Sequence, residues 1–201
     1  MNLYEKLEIF VTNFCKDRDE SHGTLHMKLV ADRSLEICNE LDTDTWTYDA
    51  VCIVAWLHDV LDTKYNPTEI QRTDVKQFIK SLGWDFNNVL EATESISYTK
   101  EKNNGMRYFE NILDKKWLLV RDIVSDADKE DGIGLKGINR CYIYEKYKNP
   151  KVDDAELIII VKNHITNRLL KLYPDNFFVT IPGNTVAKTL QKEMVEWYNT
   201  H

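Results

Sequence analysis

A histidine and an aspartate stand side by side, as His58-Asp59, at the end of an apolar run that begins at Ala50. Burying an imidazole and a carboxylate together costs free energy unless a partner compensates for their lost hydration. A divalent metal ion that takes both groups as ligands is the simplest such partner. The alternative is that His58 is a hydrogen-bonded core histidine and Asp59 a helix cap or ion-pair partner. The pair alone does not decide between these interpretations.

Two further residues could serve a metal site at this pair. Asp62 follows Asp59 by three residues and His58 by four, so all three are predicted to share one helix edge. A carboxylate there would orient water at the metal or accept a proton from it. His26 lies just inside a predicted helix start, exposed enough to reach the site and rigid enough to hold its place. Taken alone, His26 fits an ordinary surface residue better.

An acidic segment, SDADKED, covers residues 125–131. Ser125 is predicted to cap a helix, with Asp128 and Asp131 three apart on one face. Acidic residues also suit a helix N-terminus for electrostatic reasons alone, whatever their function. Asp126 and Asp128 are rival candidates for a further metal ligand.

The elements that must position these groups are predicted to be helices, because apolar residues recur at helical spacing along the chain. Residues 157–161 have the propensity of a buried strand, but the apolar pattern continues to Leu172 at helical spacing and favours a helix. Seven glycines and no hairpin signal leave little from which to build a sheet. We predict an all-α bundle of about eight to ten helices, forming one domain over residues 1–201.

The helix limits are predicted from apolar faces, prolines and turn residues. In the second helix Leu25, Leu29, Val30 and Ile37 are predicted to point inward, and the third is predicted to carry His58-Asp59. The predicted helices cover residues 3–17, a stretch after the loop 18–23, a stretch after the linker 42–45, a stretch opened by Asn66-Pro67, and residues 86–96, 105–123, 125–146, 153–172 and 184–199.

Composition excludes several classes of function. The net charge is −7 and no basic stretch stands out, which argues against binding to a nucleic acid polymer. No basic segment followed by an apolar stretch opens the chain, and the longest apolar run, about 12 residues, is too short to span a bilayer. The cysteines lie singly, without metal-binding spacing, so they are predicted to be reduced core residues of a cytoplasmic protein. They are Cys15, Cys38, Cys52 and Cys141.

The order of these pieces resembles the HD-domain superfamily of metal-dependent phosphohydrolases. The closest likeness is to its small single-domain members related to nucleotide pyrophosphohydrolases. The segments that carry the resemblance are DESHGTLH at 19–26, LHDVLD at 57–62 with Lys64-Tyr65, SDADKEDGIG at 125–134 running on to Arg140, and NHITNRLLKL at 163–172. The resemblance implies that His26, His58, Asp59 and Asp128 are the metal ligands and that Asp62 activates water.

The sequence departs from that family pattern at three positions. Gly23 stands where an aspartate is frequent, Lys129 replaces a more usual arginine, and Glu130 replaces an apolar residue. These departures bear on substrate specificity more than on metal binding.

Two histidines and two aspartates form a mixed nitrogen and oxygen set for one divalent ion. Such a set suits Mn²⁺, Fe²⁺, Co²⁺ or Zn²⁺ better than Mg²⁺, and we favour Mn²⁺. The predicted substrate is a small phosphate-bearing molecule, a nucleotide above all. Cations must then balance its charge, although any single one fits a solvated surface residue better. The predicted substrate contacts are Lys64, Arg140 and Arg168, with the two arginines preferred for their bidentate geometry, and His22.

The function predicted from the sequence is hydrolysis of a phosphate ester or phosphoanhydride. Two alternatives stay open: an HD-type module that senses a nucleotide without hydrolysing it, and a dimetal oxygenase of the same superfamily. The oxygenase requires additional histidine ligands, for which His22 and His164 are the candidates apart from the terminal His201. The native metal, the preferred base and sugar, the leaving phosphate or pyrophosphate, and the oligomeric state are open at this point.

Overall fold

The computed structural model describes residues 1–18 and 23–200, and every regular element in those two ranges is helical. The all-α prediction is therefore confirmed. The α-helices are α1 (Leu3–Phe14), α2 (Thr24–Glu40), α3 (Thr45–Leu57), α4 (Glu69–Ser81), α5 (Phe86–Glu94), α6 (Tyr98–Asn104), α7 (Lys115–Asp131), α8 (Gly134–Lys148), α9 (Asp154–Asn167) and α10 (Ile181–Thr200). Short 3₁₀ helices cover Thr63–Tyr65, Tyr108–Asn111 and Leu169–Lys171.

Helix α3 lies at the centre of the larger hydrophobic core. From Ala50 to Leu57 it is apolar on all sides and every residue is buried, as expected for a helix enclosed by others. Its N-terminus is capped by Asp44, whose side chain accepts a hydrogen bond from the Thr47 amide. Helices α1, α2, α5 and α7 pack around it. Because α3 ends at Leu57, it delivers His58 and Asp59 to the interior of the bundle.

Helix α2 presents His26 to the same region, but not as predicted. His26 is buried rather than exposed, and Leu25 is 67% exposed rather than inward-facing. The inward face of α2 instead passes through His26, Met27 and Val30, and Leu25 lies outside this stripe.

Helix α7 is continuous through the position where a break was predicted. Ser125 caps no helix; it is buried in the middle of α7, where it hydrogen bonds the Lys129 side chain. The true N-cap is Asp114, which accepts hydrogen bonds from the amides of Lys116 and Trp117. The acidic segment consequently lies in the last turns of α7 and not in a first turn.

Helices α8, α9 and α10 enclose a second, smaller apolar cluster that packs beside the first. The predicted helix at 157–161 is confirmed within α9. The corner between α7 and α8 is tight: a Cβ atom added at Gly137 would lie 2.2 Å from the carbonyl carbon of Gly132. This contact brings the start of α8 against the end of α7.

Some other limits differ from the prediction. Helix α4 starts at Glu69, because Thr68 and Gln71 form a capping box, and Pro67 precedes it. Helix α6 was not predicted at all. The predicted core cysteines are buried and unpaired. Among the described residues, no helix is both long and apolar enough to cross a membrane.

Candidate metal centre

Four side chains, from two helices and the turn after a third, converge at one point. His26 comes from α2, His58 and Asp59 follow α3, and Asp128 comes from α7. The two Nε2 atoms of His26 and His58 lie 3.2 Å apart. Asp128 Oδ1 is 3.4 Å from His26 Nε2 and 3.7 Å from His58 Nε2, and Asp59 Oδ2 is 3.9 and 3.8 Å from the same atoms. Two ligand atoms about 2.1 Å from one ion lie roughly 3.0 to 4.2 Å apart, so these five distances suit a shared cation.

The hydrogen bonds at the far side of each ring leave both Nε2 atoms as acceptors. His58 Nδ1 is 2.7 Å from the Ala55 carbonyl oxygen, which can only accept, so Nδ1 carries the proton. His26 Nδ1 is 2.8 Å from Asp131 Oδ2 and donates in the same way to that carboxylate. When both imidazoles are neutral, these tautomers point two lone pairs at each other across 3.2 Å. A metal ion between them resolves this conflict, and the partners at Nδ1 are of the kind that fix metal-binding histidines.

The two carboxylates of the cluster are ionised. Burial raises the pKa of Asp59, but His58, Lys64 and His26 outweigh it and hold this pKa well below the usual range. Burial likewise raises the pKa of Asp128, and the hydrogen bond with His26 and the charges nearby bring it far below its usual value. Two ionised carboxylates therefore face the imidazoles.

His26 responds to these carboxylates. Burial and the Arg140 charge lower its pKa, but hydrogen bonds with Asp128 and Asp131 outweigh them, so the pKa of His26 is raised. Without a metal, a proton on His26 thus partly offsets the charge of the neighbouring carboxylates. We expect proton and metal to compete for the same place, as they do at histidine ligands in general.

Asp131 accepts a hydrogen bond from His26 Nδ1, on the side of the ring away from His58. The sequence did not single out Asp131 for this role. Burial raises its pKa, but the hydrogen bond with His26 and the neighbouring Lys136 and Arg140 lower it to about 2. Lys136 Nζ lies 2.6 Å from Oδ1 and Arg140 Nη1 lies 3.4 Å from Oδ2. Asp131 is therefore an ionised acceptor that fixes the ring of His26.

The prediction that Asp62 shares a helix edge with His58 and Asp59 is wrong. His58 is the C-cap of α3, and the chain then turns, with the Asp62 amide bonded to the Asp59 carbonyl. Asp62 caps the following 3₁₀ helix by accepting from the Lys64 amide, and its Oδ2 is 3.0 Å from Lys64 Nζ. The turn still places Asp62 near these side chains, because Asp62 lines one cleft together with His58, Asp59 and Asp128.

Arg18 holds this turn and could not be found from local sequence. Its Nη1 donates to the Asp59 carbonyl at 2.7 Å and its Nη2 to the Val60 carbonyl at 2.5 Å. The guanidinium also lies over the Tyr65 ring, 4.3 Å from its centre. Arg18 thus fixes the backbone that carries Asp59.

Asp126 is engaged elsewhere. It is fully buried, and its carboxylate accepts hydrogen bonds from the Val179 amide and from the amide and hydroxyl of Thr180. These bonds tie α7 to the start of α10. Of the two rivals, only Asp128 faces the imidazoles.

A cleft of about 670 Å³ opens from the cluster of His26, His58, Asp59 and Asp128. His58, Asp59 and Asp128 lie on its wall, together with Asp62. The three predicted substrate-contacting cations Lys64, Arg140 and Arg168 also line it. In all, seven lysine and arginine side chains and five carboxylates form the wall, although the chain as a whole is acidic. The other four cations are Arg72, Lys100, Lys129 and Lys148.

Two histidines proposed as spare ligands have different outcomes. His164 lines the cleft, but its Nδ1 is bonded to Glu145 Oε1 at 2.8 Å. His22 lies outside the described residues. Within the described ranges, the side chains with metal-site geometry are His26, His58 and Asp59, and Asp128 lies beside them.

Comparison with known proteins supports the fold. Neither a scan against protein-family models nor a search of curated proteins gave a match. Among solved structures, a protein from Lactobacillus plantarum is 19% identical, with 98% of this chain and 94% of that one covered and a TM-score of 0.74.

Two further structures are similar over nearly the whole chain. YpgQ from Bacillus subtilis, solved in complex with ADP, is 20% identical over 98% of this chain and 94% of its own, with a TM-score of 0.69. A protein from Bacillus thuringiensis described as an HD-superfamily hydrolase is 20% identical over 98% and 93%, with a TM-score of 0.64. The chain therefore has the HD-domain fold, as the sequence resemblance predicted.

Proposed function

We propose that this chain is a metal-dependent phosphohydrolase that acts on a small phosphate-bearing molecule, with a nucleotide as the favoured substrate. The observation that carries the proposal is the convergence of His26, His58, Asp59 and Asp128 at one end of a cation-lined cleft. These four residues would hold one divalent ion, for which Mn²⁺ suits the nitrogen and oxygen donors best. Such an ion supplies Lewis-acid polarisation of a phosphoryl oxygen and lowers the pKa of water.

Asp62 is the candidate general base. Its side chain is partly exposed to the cleft, and Lys64 holds it through both the backbone amide and Nζ. Lys64 Nζ is also 3.8 Å from Asp59 Oδ2, so one lysine links the base to a metal ligand. A carboxylate fixed in this manner can orient a water molecule and take its proton as the new P–O bond forms.

The charges of the cleft favour a substrate with more than one phosphate. Seven cations gather on the wall of a single cleft in a chain of net charge −7, and opposite charge concentrates anionic ligands. Arg140 and Arg168 can each bind two phosphate oxygens with a guanidinium fork. The cleft volume lies within the range of pockets that enclose cofactor-sized ligands. Binding of ADP by YpgQ, a protein of the same fold, supports a nucleotide.

The test is a hydrolysis screen with the Mn²⁺-loaded chain. Nucleoside mono-, di- and triphosphates are supplied, and released phosphate and pyrophosphate are measured separately. We expect turnover of at least one nucleotide, with an Asp62→Asn variant reduced in kcat about 10²- to 10⁴-fold because the base is lost. The variant should bind Mn²⁺ as the wild type does, since Asp62 is not among the four converging groups.

The outcomes separate the rival functions. Tight nucleotide binding without release of phosphate or pyrophosphate would favour the nucleotide-sensing module and refute the hydrolase. Full activity of Asp62→Asn would refute the assigned base alone. Two bound ions per chain would instead revive the dimetal oxygenase, for which no third histidine joins the cluster within the described residues. We further propose a reducing cytoplasmic location, to which buried unpaired cysteines are suited.

A further inference from the structure

One face of α8 forms a wall along the length of the cleft. Its cleft-lining residues recur at helical spacing and are Gly137, Arg140, Cys141, Tyr144, Glu145 and Lys148. At 1.5 Å per residue, this stripe is about 16 Å long. Arg140 marks the metal end, since its Nη1 lies 3.4 Å from Asp131. Glu145 stands about 7.5 Å further along the helix axis than Arg140.

Glu145 is unusual among the groups of this wall. It is only 6% exposed, yet it lines the cleft, and it carries negative charge among cations that suit phosphate. Its Oε1 accepts from His164 Nδ1 at 2.8 Å and its Oε2 from Asn149 Nδ2 at 3.3 Å. A carboxylate has about four acceptor positions, so about two of those of Glu145 have no hydrogen-bond donor among the described residues. Tyr144, the preceding residue, lines the cleft next to it.

We propose that Glu145, held by His164, binds the nucleoside part of the substrate by accepting hydrogen bonds from its hydroxyl or N–H groups. This inference rests on the proposed nucleotide substrate and names the end of the cleft that recognises it. A carboxylate repels phosphate and accepts from O–H and N–H donors, so the only part of a nucleotide that suits Glu145 is its sugar or base. The separation from the metal end leaves the phosphates to Arg140 and Lys64.

The test measures binding without turnover. Calorimetry on the Mn²⁺-loaded chain compares α,β-methylene-ADP with methylenediphosphonate, which carries the same non-hydrolysable phosphate pair but no nucleoside. In Glu145→Gln we expect nucleotide binding to weaken about tenfold to a hundredfold, since a charged acceptor is lost. Methylenediphosphonate should bind as before or more tightly, because a negative charge has been removed. A structural role would instead change both ligands in the same direction.

Controls make the result specific. Glu156→Gln, on the exposed start of α9 and outside the cleft wall, should leave both affinities unchanged. Thermal unfolding of Glu145→Gln checks that the fold is retained. The 2′-deoxy form of the nucleotide analogue separates the two sources of donor: loss of the Glu145 dependence identifies a sugar hydroxyl, and its persistence a base N–H or the other hydroxyl.

Three results would overturn the inference: equal loss for both ligands, no loss for the nucleotide analogue, or no nucleotide binding by the wild type. Failure of the proposed hydrolase activity is distinguishable from these results. A chain that binds the analogue through Glu145 but hydrolyses no nucleotide would refute the activity and leave the recognition site supported.

Discussion

At the scale of single residues, the metal assignment depends on which nitrogen of each imidazole carries the proton. The Ala55 carbonyl and the Asp131 carboxylate accept hydrogen bonds from the Nδ1–H groups, which leaves two Nε2 acceptors 3.2 Å apart in the neutral rings. The carboxylates add to this demand for a cation. Asp128 and Asp131 lie in the last turn of α7, where the helix dipole disfavours negative charge. A bound cation at this position would offset both the repulsion between the Nε2 lone pairs and the unfavourable carboxylate charge.

The first prediction concerns Asp131. An Asp131→Asn substitution keeps the shape of the side chain but removes the ionised acceptor behind His26. We expect the affinity for Mn²⁺ to fall about tenfold to a hundredfold, the effect typical of losing such a supporting carboxylate. Calorimetric titration with Mn²⁺ measures it, with the exposed Asp154→Asn as the matched control. An unchanged affinity in Asp131→Asn would show that the carboxylate does not support the ligand.

A second prediction separates the two rival aspartates of α7. Asp128→Asn should lose Mn²⁺ binding and keep its stability, because Asp128 faces the imidazoles. Asp126→Asn should keep Mn²⁺ binding but unfold more easily by about 1–3 kcal/mol, because one buried acceptor of the Val179 and Thr180 bonds becomes a donor. Urea unfolding and Mn²⁺ titration of both variants give the answer. The reverse pattern would make Asp126 the ligand.

At the scale of elements, the corner between α7 and α8 places the candidate ligand Asp128 of α7 near the cleft-lining face of α8. Gly137 approaches the backbone of Gly132 so closely that no side chain fits between them. Gly137→Ala is expected to destabilise the fold by about 1–3 kcal/mol, since backbone rather than a flexible side chain must move. Gly132→Ala is the matched control, because its added Cβ meets only ordinary contacts of 3.4 Å or longer. Equal urea midpoints for the two variants would contradict the tight corner.

The helices themselves were largely predictable, and their exceptions have local causes. Apolar spacing marks α3 and α9 clearly. Ser125 resembles a helix cap by type, but its small side chain is buried within α7, so the predicted break was misplaced. The apolar pattern gave no sign of α6, a short polar helix whose Glu101 pairs with the fully buried Arg121. Such a pairing between distant residues leaves no periodic signal.

The site was only partly predictable, because contacts between residues distant in sequence leave no local pattern. The resemblance selected His26, His58, Asp59 and Asp128, which the structure brings together, although their role as ligands stays a prediction. The partners that hold them were not predicted, because Arg18 and Asp131 act through contacts across 41 and 105 residues of chain. Residue type alone also could not separate Asp126 from Asp128; their hydrogen-bond partners do.

At the scale of the whole molecule, the candidate metal site forms only when α2, α3 and α7 pack against one another. The buried α3 fixes the turn at His58, while α2 and α7 pack against it and supply His26 and Asp128. The cleft then gathers cations in an otherwise acidic chain. Metal binding should accordingly stabilise the folded state, since the unfolded chain has no preformed site.

The most direct test of the account is metal retention. The purified wild type and a His58→Ala/Asp59→Ala variant are loaded with Mn²⁺, desalted and analysed for metal content. We predict one ion per wild-type chain, none in the variant, and the same helical circular dichroism for both. A variant that retains one Mn²⁺ per chain would contradict the claim that these converging side chains form the metal centre.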